Sequence, residues 1–380
     1  MIMDIIKKLL CIVPVVGAFA VSCTDAEKIE VDHIGGYNTM NNAESDAYYE
    51  NIRAYKLTGE NHQRPVAFGW FSDWNPTGTQ RRGYLSSMPD SIDIVSMWSG
   101  APDRNTITPE QKADKEFVQK VKGTKLLEVS LISHIGKGRT PESIYAEIYK
   151  QAEAEGWNDS KLSEAKKLAR WDFWGFKSHD LQNTEELDAA IAVYAKALCD
   201  TLFTSEWDGF DIDWELGSGT NDHDGTLNNS TIVTLIKEMG KYIGPASDPD
   251  GKGHKLLCVD GGISSLMSKV DDYVDYWISQ NYGSSSFNFN WYAAAPEKII
   301  ITENFEAYAL TGGNLWSQAA IMPDNGFKGG VGAYRFQKDY DNAPDYKYMR
   351  KAIQINQQVF NEWKDAQSNG GNNDSKQDNQ

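Results

Sequence analysis

Residues 207–215 read W-D-G-F-D-I-D-W-E, and three acids in this stretch, Asp211, Asp213 and Glu215, are spaced two apart. Successive side chains of a β-strand point to opposite faces, so a strand here would present three carboxyl groups on one side and three large apolar groups on the other. A helix does not place residues two apart on one face, and the aromatic and β-branched neighbours favour a strand. We therefore predict a buried strand with one acidic face.

The acidic face of this predicted strand indicates catalysis. Carboxyl groups crowded on one face repel one another, and the repulsion raises the pKa of one of them enough to keep it protonated near neutral pH. Cleavage of a glycosidic bond needs a protonated carboxyl group for the leaving oxygen and an ionised one for the cationic sugar. The alternative is a structural edge strand whose acids face water. The apolar residues on the opposite face and the helical segments on either side argue against that alternative.

Two residues at the beginning of the same stretch have a structural interpretation. Asp208 is out of phase with the other acids, and we expect it to brace the start of the strand. Gly209 is expected to allow the close approach of a neighbouring backbone.

The stretch resembles the active-site signature of glycoside hydrolase family 18, D-G-x-D-x-D-x-E, and all five specified positions match. This family contains chitinases and endo-β-N-acetylglucosaminidases, and its fold is a (β/α)8 TIM barrel with the motif on the fourth strand. Because the active sites of such barrels lie at the carboxyl ends of the strands, we expect Glu215 at the barrel mouth, as general acid and then general base. Asp213 is expected to orient the acetamido group of the substrate, and Asp211 to share a proton or hydrogen bond with Asp213.

The resemblance also implies a mechanism. In the family, the substrate's own 2-acetamido oxygen is the nucleophile, an oxazolinium intermediate forms, and water opens it with retention of configuration. This nucleophile has a high effective concentration because it is tethered near the reacting carbon. We predict no cofactor and no metal, and the six histidines of the chain show no metal-ligand spacing.

The remainder of the chain fits the predicted barrel. Eight apolar, β-rich runs are predicted as strands, at residues 66–71, 92–98, 125–132, 207–215, 255–260, 274–282, 298–302 and 330–336. Helical periodicity falls between several of them, and alternating strands and helices predict a (β/α)8 barrel. Two connections depart from an ideal barrel. The one between the third and fourth strands is extended and holds additional helices, and the sixth, residues 284–297, shows no convincing helix.

A second part of the predicted site lies at the end of the sixth strand, where Gln280 and Tyr282 share a strand face. In the family, a tyrosine at this place donates a hydrogen bond to the acetamido oxygen. Endo-β-N-acetylglucosaminidases carry a pattern similar to Q-x-Y-N here, whereas many chitinases carry M-x-Y-D. This chain reads Q-N-Y-G, so Gly283 departs from both patterns while the other two residues favour the endoglycosidases. We predict Tyr282 as catalytic and Gln280 as substrate-binding; the alternative for Tyr282 is a core tyrosine with a satisfied hydroxyl group.

Three further aromatic residues lie at or near predicted strand ends, and they are Trp70, Trp98 and Tyr334. Aromatic rings at a barrel mouth form platforms for sugar rings, but the layers of a barrel interior also need large side chains. We take all three as candidate substrate-binding residues.

The amino terminus resembles a secretory signal followed by a bacterial lipoprotein cleavage box. Lys7 and Lys8 precede an apolar run, and the small residues Ala-Val-Ser precede Cys23. We predict that Cys23 is lipidated and anchors the protein to the outer membrane, at the cell surface; the alternative is an ordinary signal peptide with a chance cysteine. The net charge of −17 argues against a nucleic-acid partner and against binding to an anionic membrane surface, leaving the lipid as the membrane contact.

The predicted organisation is a signal peptide at 1–22, a tether and helix at 23–60, a catalytic barrel at 61–365 and a disordered tail at 366–380. The predicted function is an endo-β-N-acetylglucosaminidase that acts, as a monomer, on the GlcNAc-β1,4-GlcNAc core of N-glycans or glycoproteins. Two alternatives remain open, a chitinase acting on GlcNAc polymers and a glycan-binding lipoprotein with little catalysis. The intact Glu215 argues against the latter.

Overall fold

The computed structural model describes residues 44–216 and 222–374. The predicted signal peptide, the predicted lipidation site Cys23 and the predicted tether up to residue 43 lie outside the described residues. Within the described ranges, no helix combines the length and the apolar character that crossing a membrane requires.

Eight parallel strands pair in chain order and close into a barrel, with the last strand hydrogen-bonded to the first. The strands are β1 (Val66–Phe71), β2 (Ile94–Met97), β3 (Lys125–Leu131), β4 (Gly209–Trp214), β5 (Leu256–Gly261), β6 (Tyr276–Ser279), β7 (Ile299–Asn304) and β8 (Gly330–Tyr334). Each overlaps one of the predicted runs, so the predicted (β/α)8 architecture is confirmed. The ladders end earlier than the apolar runs at β4 and β6, and Glu215, Gln280 and Tyr282 therefore stand just beyond the strands rather than within them.

Helices precede, connect and follow the strands. They are α1 (Asp46–Glu60), α2 (Pro109–Glu116), α3 (Ala146–Glu155), α4 (Asp159–Phe173), α5 (Thr184–Thr204), α6 (Thr231–Met239), α7 (Met267–Val270), α8 (Phe305–Tyr308), α9 (Leu315–Ala320) and α10 (Lys347–Asp374). The extended connection before β4 holds α3, α4 and α5. The connection after β6 contains only the 3-10 turns Phe289–Trp291 and Pro296–Lys298. Both predicted departures from an ideal barrel are therefore confirmed.

The structure differs from the sequence prediction at the carboxyl terminus. A disordered tail is predicted from residue 366, but α10 continues to Asp374. Extending an existing helix fixes one residue for each added hydrogen bond and needs no new nucleus, which lets a polar segment follow a packed one. Residues 375–380 of the predicted tail lie outside the described residues.

The strands divide their side chains between two cores. In β1, Phe68 and Trp70 point into a cluster inside the barrel, whereas Ala67 and Phe71 join the larger cluster that includes the surrounding helices. This alternation follows from the period of two along a strand, and because both faces are covered, all of β1 is buried.

The same alternation decides the orientation of β4. Phe210, Ile212 and Trp214 belong to the outer cluster, so Asp211 and Asp213 face the barrel interior. The predicted acidic face of this strand is therefore directed inward, away from bulk water.

The start of β4 is fixed to its two neighbours. A Cβ atom on Gly209 would lie 2.2 Å from the carbonyl oxygen of Leu256 on β5, so the two strands approach too closely there for any side chain. On the other side, the carboxylate of Asp208 accepts hydrogen bonds from the backbone N–H of Leu126 at 2.9 Å and from the side-chain amide of Gln119 at 2.6 Å. The position along the barrel of every later residue in β4 depends on these contacts.

A buried ion pair joins the segments that precede β1 and β2. The guanidinium of Arg64 donates to both carboxylate oxygens of Asp93, at 2.6 and 3.1 Å, and both side chains are only 4% exposed. Asp93 also accepts the backbone N–H of Ala67 at 2.7 Å. The pair therefore holds the amino-terminal edges of two strands together.

We predict that Asp93→Asn lowers the free energy of unfolding by about 3 kcal/mol, because a buried guanidinium would lose its counter-charge. Denaturant unfolding followed by tryptophan fluorescence measures the change. Asp250→Asn is the matched control, because its ion pair with Lys252 has side chains that are 69% and 77% exposed, and it should leave the unfolding midpoint unchanged. Equal midpoints for the two variants would contradict the structural role of the Arg64 pair.

Candidate active site

The acids of the β4 stretch occupy two levels of the barrel. Asp211 and Asp213 are buried, 0% and 1% exposed, and their side chains lie inside the barrel. Glu215 directly follows the strand and is half-buried at the carboxyl-terminal mouth. Glu215 lies two residues after Asp213, and its charge raises the pKa of Asp213.

Asp211 is held by donors from two other strands. The indole N–H of Trp70 on β1 lies 3.0 Å from its Oδ2 atom, and the hydroxyl group of Ser96 on β2 lies 2.7 Å from the same oxygen. Trp70 is 1% exposed, so the prediction that its ring forms a platform for sugars is wrong. A large side chain at the end of a barrel strand also fills an interior layer, and here the buried indole finds its hydrogen-bond partner in Asp211.

A fourth acid, Asp260 on β5, belongs to the same cluster, and sequence reasoning missed it. Its Cα pairs in register with that of Asp213, and its carboxyl group lies within hydrogen-bonding reach of both Asp211 and Asp213. The side-chain amide of Gln280 donates to its Oδ1 atom at 2.8 Å. From the sequence we expect a direct link between Asp211 and Asp213. In the structure, the carboxyl group of each of them is instead within hydrogen-bonding reach of the Asp260 carboxyl group. An acid at the end of an otherwise apolar strand was the available signal.

Burial governs the protonation of these three aspartates. It raises the pKa of Asp213, and the charges of Glu215 and Asp211 raise it further. Burial also raises the pKa of Asp211, against the hydrogen bonds from Ser96 and Trp70 that lower it. For Asp260, burial and then the charges of Asp213 and Asp211 hold the pKa well above its usual range. The cluster therefore retains protons at pH values where exposed aspartates have lost theirs.

Aromatic side chains from three strand ends form one wall of the mouth. The ring of Tyr334 lies 6.2 Å from that of Tyr282 and 5.4 Å from that of Trp98, measured between centroids. All three side chains are half-buried, so each has surface that a ligand can contact. Burial, followed by the charges of Asp260, Asp213 and Glu215, raises the pKa of Tyr282. Its hydroxyl group therefore stays protonated and is a hydrogen-bond donor beside the acids.

The position where Glu215 leaves the barrel is fixed by the end of β5. Gly261 has a φ of +87°, and a Cβ atom there would lie 2.5 Å from the carbonyl oxygen of Trp214. The next backbone N–H, that of Gly262, donates to the same carbonyl at 2.7 Å. This close contact with β5 fixes the end of β4, and it therefore fixes the backbone position of Glu215.

A sequence profile described as glycoside hydrolase family 18, BT1044-like, matches residues 24–355. The chain belongs to glycoside hydrolase family 18. Its fold is similar to that of a glutamate-to-glutamine variant of BT1044, at 28% sequence identity over 86% of this chain and 98% of that one, with a TM-score of 0.65. Among curated proteins, no significant match is found.

The fold of this family 18 glycosidase is also similar to that of an endo-β-N-acetylglucosaminidase from Cordyceps militaris. A variant of that enzyme in complex with fucosyl-N-acetylglucosamine-Asn is 18% identical over 83% of this chain and 97% of its own, with a TM-score of 0.54. Its apo form gives the same identity and coverage with a TM-score of 0.53. These two likenesses support the barrel fold.

A pocket of about 540 Å³ opens beside the signature stretch of the family 18 glycosidase. It lies among the ends of β4, β5 and β6. Its lining consists of Trp214, Glu215, Leu216, Asn229, Gly261, Gly262, Ser265 and Gln280. Gln280 thus has two contacts, because its amide binds the buried Asp260 while the residue also lines the open pocket. The described part of the chain holds no group of three or more His, Cys, Asp or Glu side chains arranged to bind a metal ion.

Glu303, a buried acid on β7, holds the loop that carries Tyr282, and sequence reasoning missed it too. Its Oε1 atom accepts the backbone N–H groups of Gly283 at 2.8 Å and Asn304 at 2.7 Å, and its Oε2 atom accepts that of Asn314 at 2.8 Å. Gly283 has a φ of +71°, a left-handed conformation that favours glycine. Gly283, which stands where the family pattern has asparagine, therefore lies in a turn whose backbone is held by Glu303.

We predict that Glu303→Gln lowers the rate of glycoside hydrolysis about tenfold, because small displacements of catalytic groups are costly. The new amide nitrogen would face the backbone N–H groups of Gly283 and Asn304 or, in the other orientation, that of Asn314. In either case the hydrogen bonds that hold the turn after Tyr282 would be incomplete, and the turn would shift. Initial rates on a glycan substrate, compared at equal folded fractions by circular dichroism, measure the effect. The control is Glu238→Gln on α6, whose ion pair is with Lys241 just after the helix. A Glu303 variant with the control's rate would contradict the proposed support of Tyr282.

Proposed function

We propose that this family 18 glycosidase is an endo-β-N-acetylglucosaminidase that hydrolyses the GlcNAc-β1,4-GlcNAc bond in the core of N-glycans. The observation that carries the proposal is the division of the acids. Glu215 is half-buried at the mouth, whereas Asp211, Asp213 and Asp260 are buried in the barrel beneath it. This arrangement supports a role for Glu215 in proton transfer to a substrate, with the other carboxyl groups beneath the reacting sugar.

The division of acids supports a substrate-assisted mechanism. Glu215 protonates the leaving oxygen while the 2-acetamido oxygen of the substrate attacks the anomeric carbon, which gives an oxazolinium intermediate. Asp213 orients the acetamido group, and its negative charge balances the positive charge of the intermediate. Tyr282 donates a hydrogen bond to the acetamido oxygen. Glu215 then removes a proton from water, which opens the intermediate with retention of configuration.

The two sides of the mouth suit the two parts of such a substrate. The aromatic wall of Trp98, Tyr282 and Tyr334 offers ring faces for the sugar that carries the reacting acetamido group. The pocket beside Glu215 is open and suits the leaving group, which is the GlcNAc residue that stays attached to the substrate protein. Gln280 and Tyr282 follow the endoglycosidase pattern, which supports N-glycans over linear GlcNAc polymers as the substrate.

Product analysis tests this choice of substrate. The protein is incubated with an N-glycoprotein and, separately, with chitin oligomers, and the products are weighed by mass spectrometry. We expect the glycoprotein to keep one GlcNAc at each cleaved site and the released glycan to end in the other. Cleavage of the chitin oligomers alone would establish a chitinase instead. Binding of glycans with no cleavage of either substrate would establish a glycan-binding protein.

We predict that Glu215→Gln lowers kcat on the N-glycoprotein about 100-fold or more, because an amide cannot transfer the proton. Binding of the glycan should survive, since the aromatic wall and the pocket are unchanged. Turnover measurements and isothermal titration calorimetry report the two quantities separately. The control is Glu147→Gln, whose side chain on the surface of α3 is 84% exposed. Undiminished turnover in this variant would show that Glu215 is not the general acid.

We further propose that the enzyme is a monomer held at the outer membrane, facing outwards, by a lipid on Cys23. The pattern of small residues before this cysteine supports the proposal. Cys23 lies outside the described residues, and the site of attachment stays a sequence-based prediction.

A further inference from the structure

An exposed tyrosine stands at the rim of the mouth, next to the turn that follows Tyr282. Tyr308 ends α8, the short helix that directly follows β7, and its side chain is 40% exposed. A Cβ atom on Gly283 would lie 3.7 Å from the Tyr308 hydroxyl oxygen. Apart from the chain neighbours of Gly283, no other heavy atom of the described residues lies within 4 Å of that place. The space beside this glycine is therefore bordered by one hydroxyl group.

The position of Tyr308 relative to that turn is fixed by Glu303, which is fully buried. One carboxylate oxygen of Glu303 accepts the backbone N–H of Gly283 at 2.8 Å, and the other accepts that of Asn314 at 2.8 Å. Asn314 ends the loop that follows α8, and in that loop the backbone N–H of Gly312 donates to the carbonyl oxygen of Tyr308 at 2.7 Å. One buried carboxylate thus holds the turn after β6 and the loop after α8 together.

The short helix α8 is also fastened on its other side. The carboxylate of Glu306 accepts a hydrogen bond from the guanidinium of Arg335 at 2.6 Å. Arg335 directly follows Tyr334, a member of the aromatic wall. The helix therefore contacts the chain segments that carry Tyr282 and Tyr334, and Tyr308 lies at the edge of the wall that these two residues form.

The hydroxyl group of Tyr308 is open to a ligand. No residue in the part of the chain that the structure describes forms a hydrogen bond with it. A tyrosine offers a ring face together with a hydroxyl group that both donates and accepts, and a sugar presents C–H faces together with hydroxyl groups. Glycine at position 283 leaves the space in front of this hydroxyl group empty of a side chain, where the Q-x-Y-N pattern has asparagine.

We propose that Tyr308 is a specificity-determining residue that binds the glycan beyond the reacting GlcNAc. Its hydroxyl group takes the place of the side chain that Gly283 lacks. The aromatic wall receives the sugar at the reacting bond, and Tyr308 stands outside the wall, where the next sugars of an N-glycan, the core mannose residues, leave the mouth. The contact is a hydrogen bond between the tyrosine and a hydroxyl group of these sugars. The inference rests on the proposed function.

The first test is Tyr308→Phe, which removes only the hydroxyl group. We expect KM on an N-glycopeptide to rise about three- to tenfold, the effect of losing one neutral hydrogen bond. We expect kcat to stay within about twofold of the wild type, because a contact remote from the reacting bond holds the substrate and the transition state alike. An unchanged KM, or a lower kcat with an unchanged KM, would overturn the proposal.

Binding without turnover gives a second readout of the same contact. In the Glu215→Gln background, isothermal titration calorimetry with the N-glycopeptide should show that Tyr308→Phe raises Kd by the same factor as KM. A Kd that does not change would contradict direct binding by Tyr308.

A further substitution tests the place of the hydroxyl group. Asparagine tolerates a positive φ better than most residues, and 3.7 Å is an ordinary van der Waals distance, so Gly283→Asn fits the turn. Added to Tyr308→Phe, it should bring KM back to within about twofold of the wild type, because its amide supplies a polar group in the same space. A KM that stays raised in a double variant with the wild-type circular dichroism spectrum would overturn the replacement of the missing side chain.

Tyr242→Phe is the matched control. Tyr242 is 38% exposed and lies between α6 and β5, at the end of the barrel opposite to the mouth. It loses the same hydroxyl group, and we expect it to leave KM unchanged. An equal rise in both variants would overturn the assignment to Tyr308. A wild-type protein that cleaves no N-glycan would sink the proposed function, whereas wild-type cleavage with an unchanged KM in Tyr308→Phe would sink this inference alone.

Discussion

The burial of three carboxyl groups inside a barrel is the constraint that the rest of the site satisfies. An ionised carboxylate away from water costs several kcal/mol unless donors or protons compensate for it. The chain provides donors from three strands or strand ends: Trp70 and Ser96 to Asp211, and Gln280 to Asp260. The other oxygens, Oδ1 of Asp211, Oδ1 of Asp213 and Oδ2 of Asp260, receive no hydrogen bond from an N–H or hydroxyl group of the described residues. Burial raises the pKa of all three aspartates, and protons on the carboxyl groups reduce the cost of burying them.

The opposite face of β4 helps to offset that cost. Phe210, Ile212 and Trp214 are 0% to 1% exposed in the outer core, and complete burial of such side chains contributes about 1.5–3 kcal/mol each. The sum is comparable with the cost of the two aspartates on the inner face, so the strand can point its acids inward and remain folded. The alternation of one strand thus links the stability of the barrel to the chemistry at its mouth.

Local periodicity explains how much of this arrangement the sequence predicts. The period of two in β4 identifies Asp211, Asp213 and their orientation, and the alternating strands and helices predict the barrel. Asp260 and Glu303 act through neighbours that are distant in the chain, and the pairing register that brings them into the site is not written in any local pattern. The role of Trp70 is ambiguous in the sequence for a different reason, because a large residue at a strand end suits both an interior layer of the barrel and a platform for sugars.

The contacts of Gln280 connect the open and closed parts of the site. Its amide binds Asp260 below, while the residue lines the pocket beside Glu215. A ligand in that pocket excludes water from the mouth, and the exclusion strengthens every electrostatic interaction beneath it because the local dielectric falls. In the mechanism we propose, filling the pocket therefore increases the repulsion among the buried aspartates when the acetamido group arrives. The positive charge of the proposed intermediate would then relieve that repulsion, so the energy of the buried cluster would favour the transition state over the bound substrate.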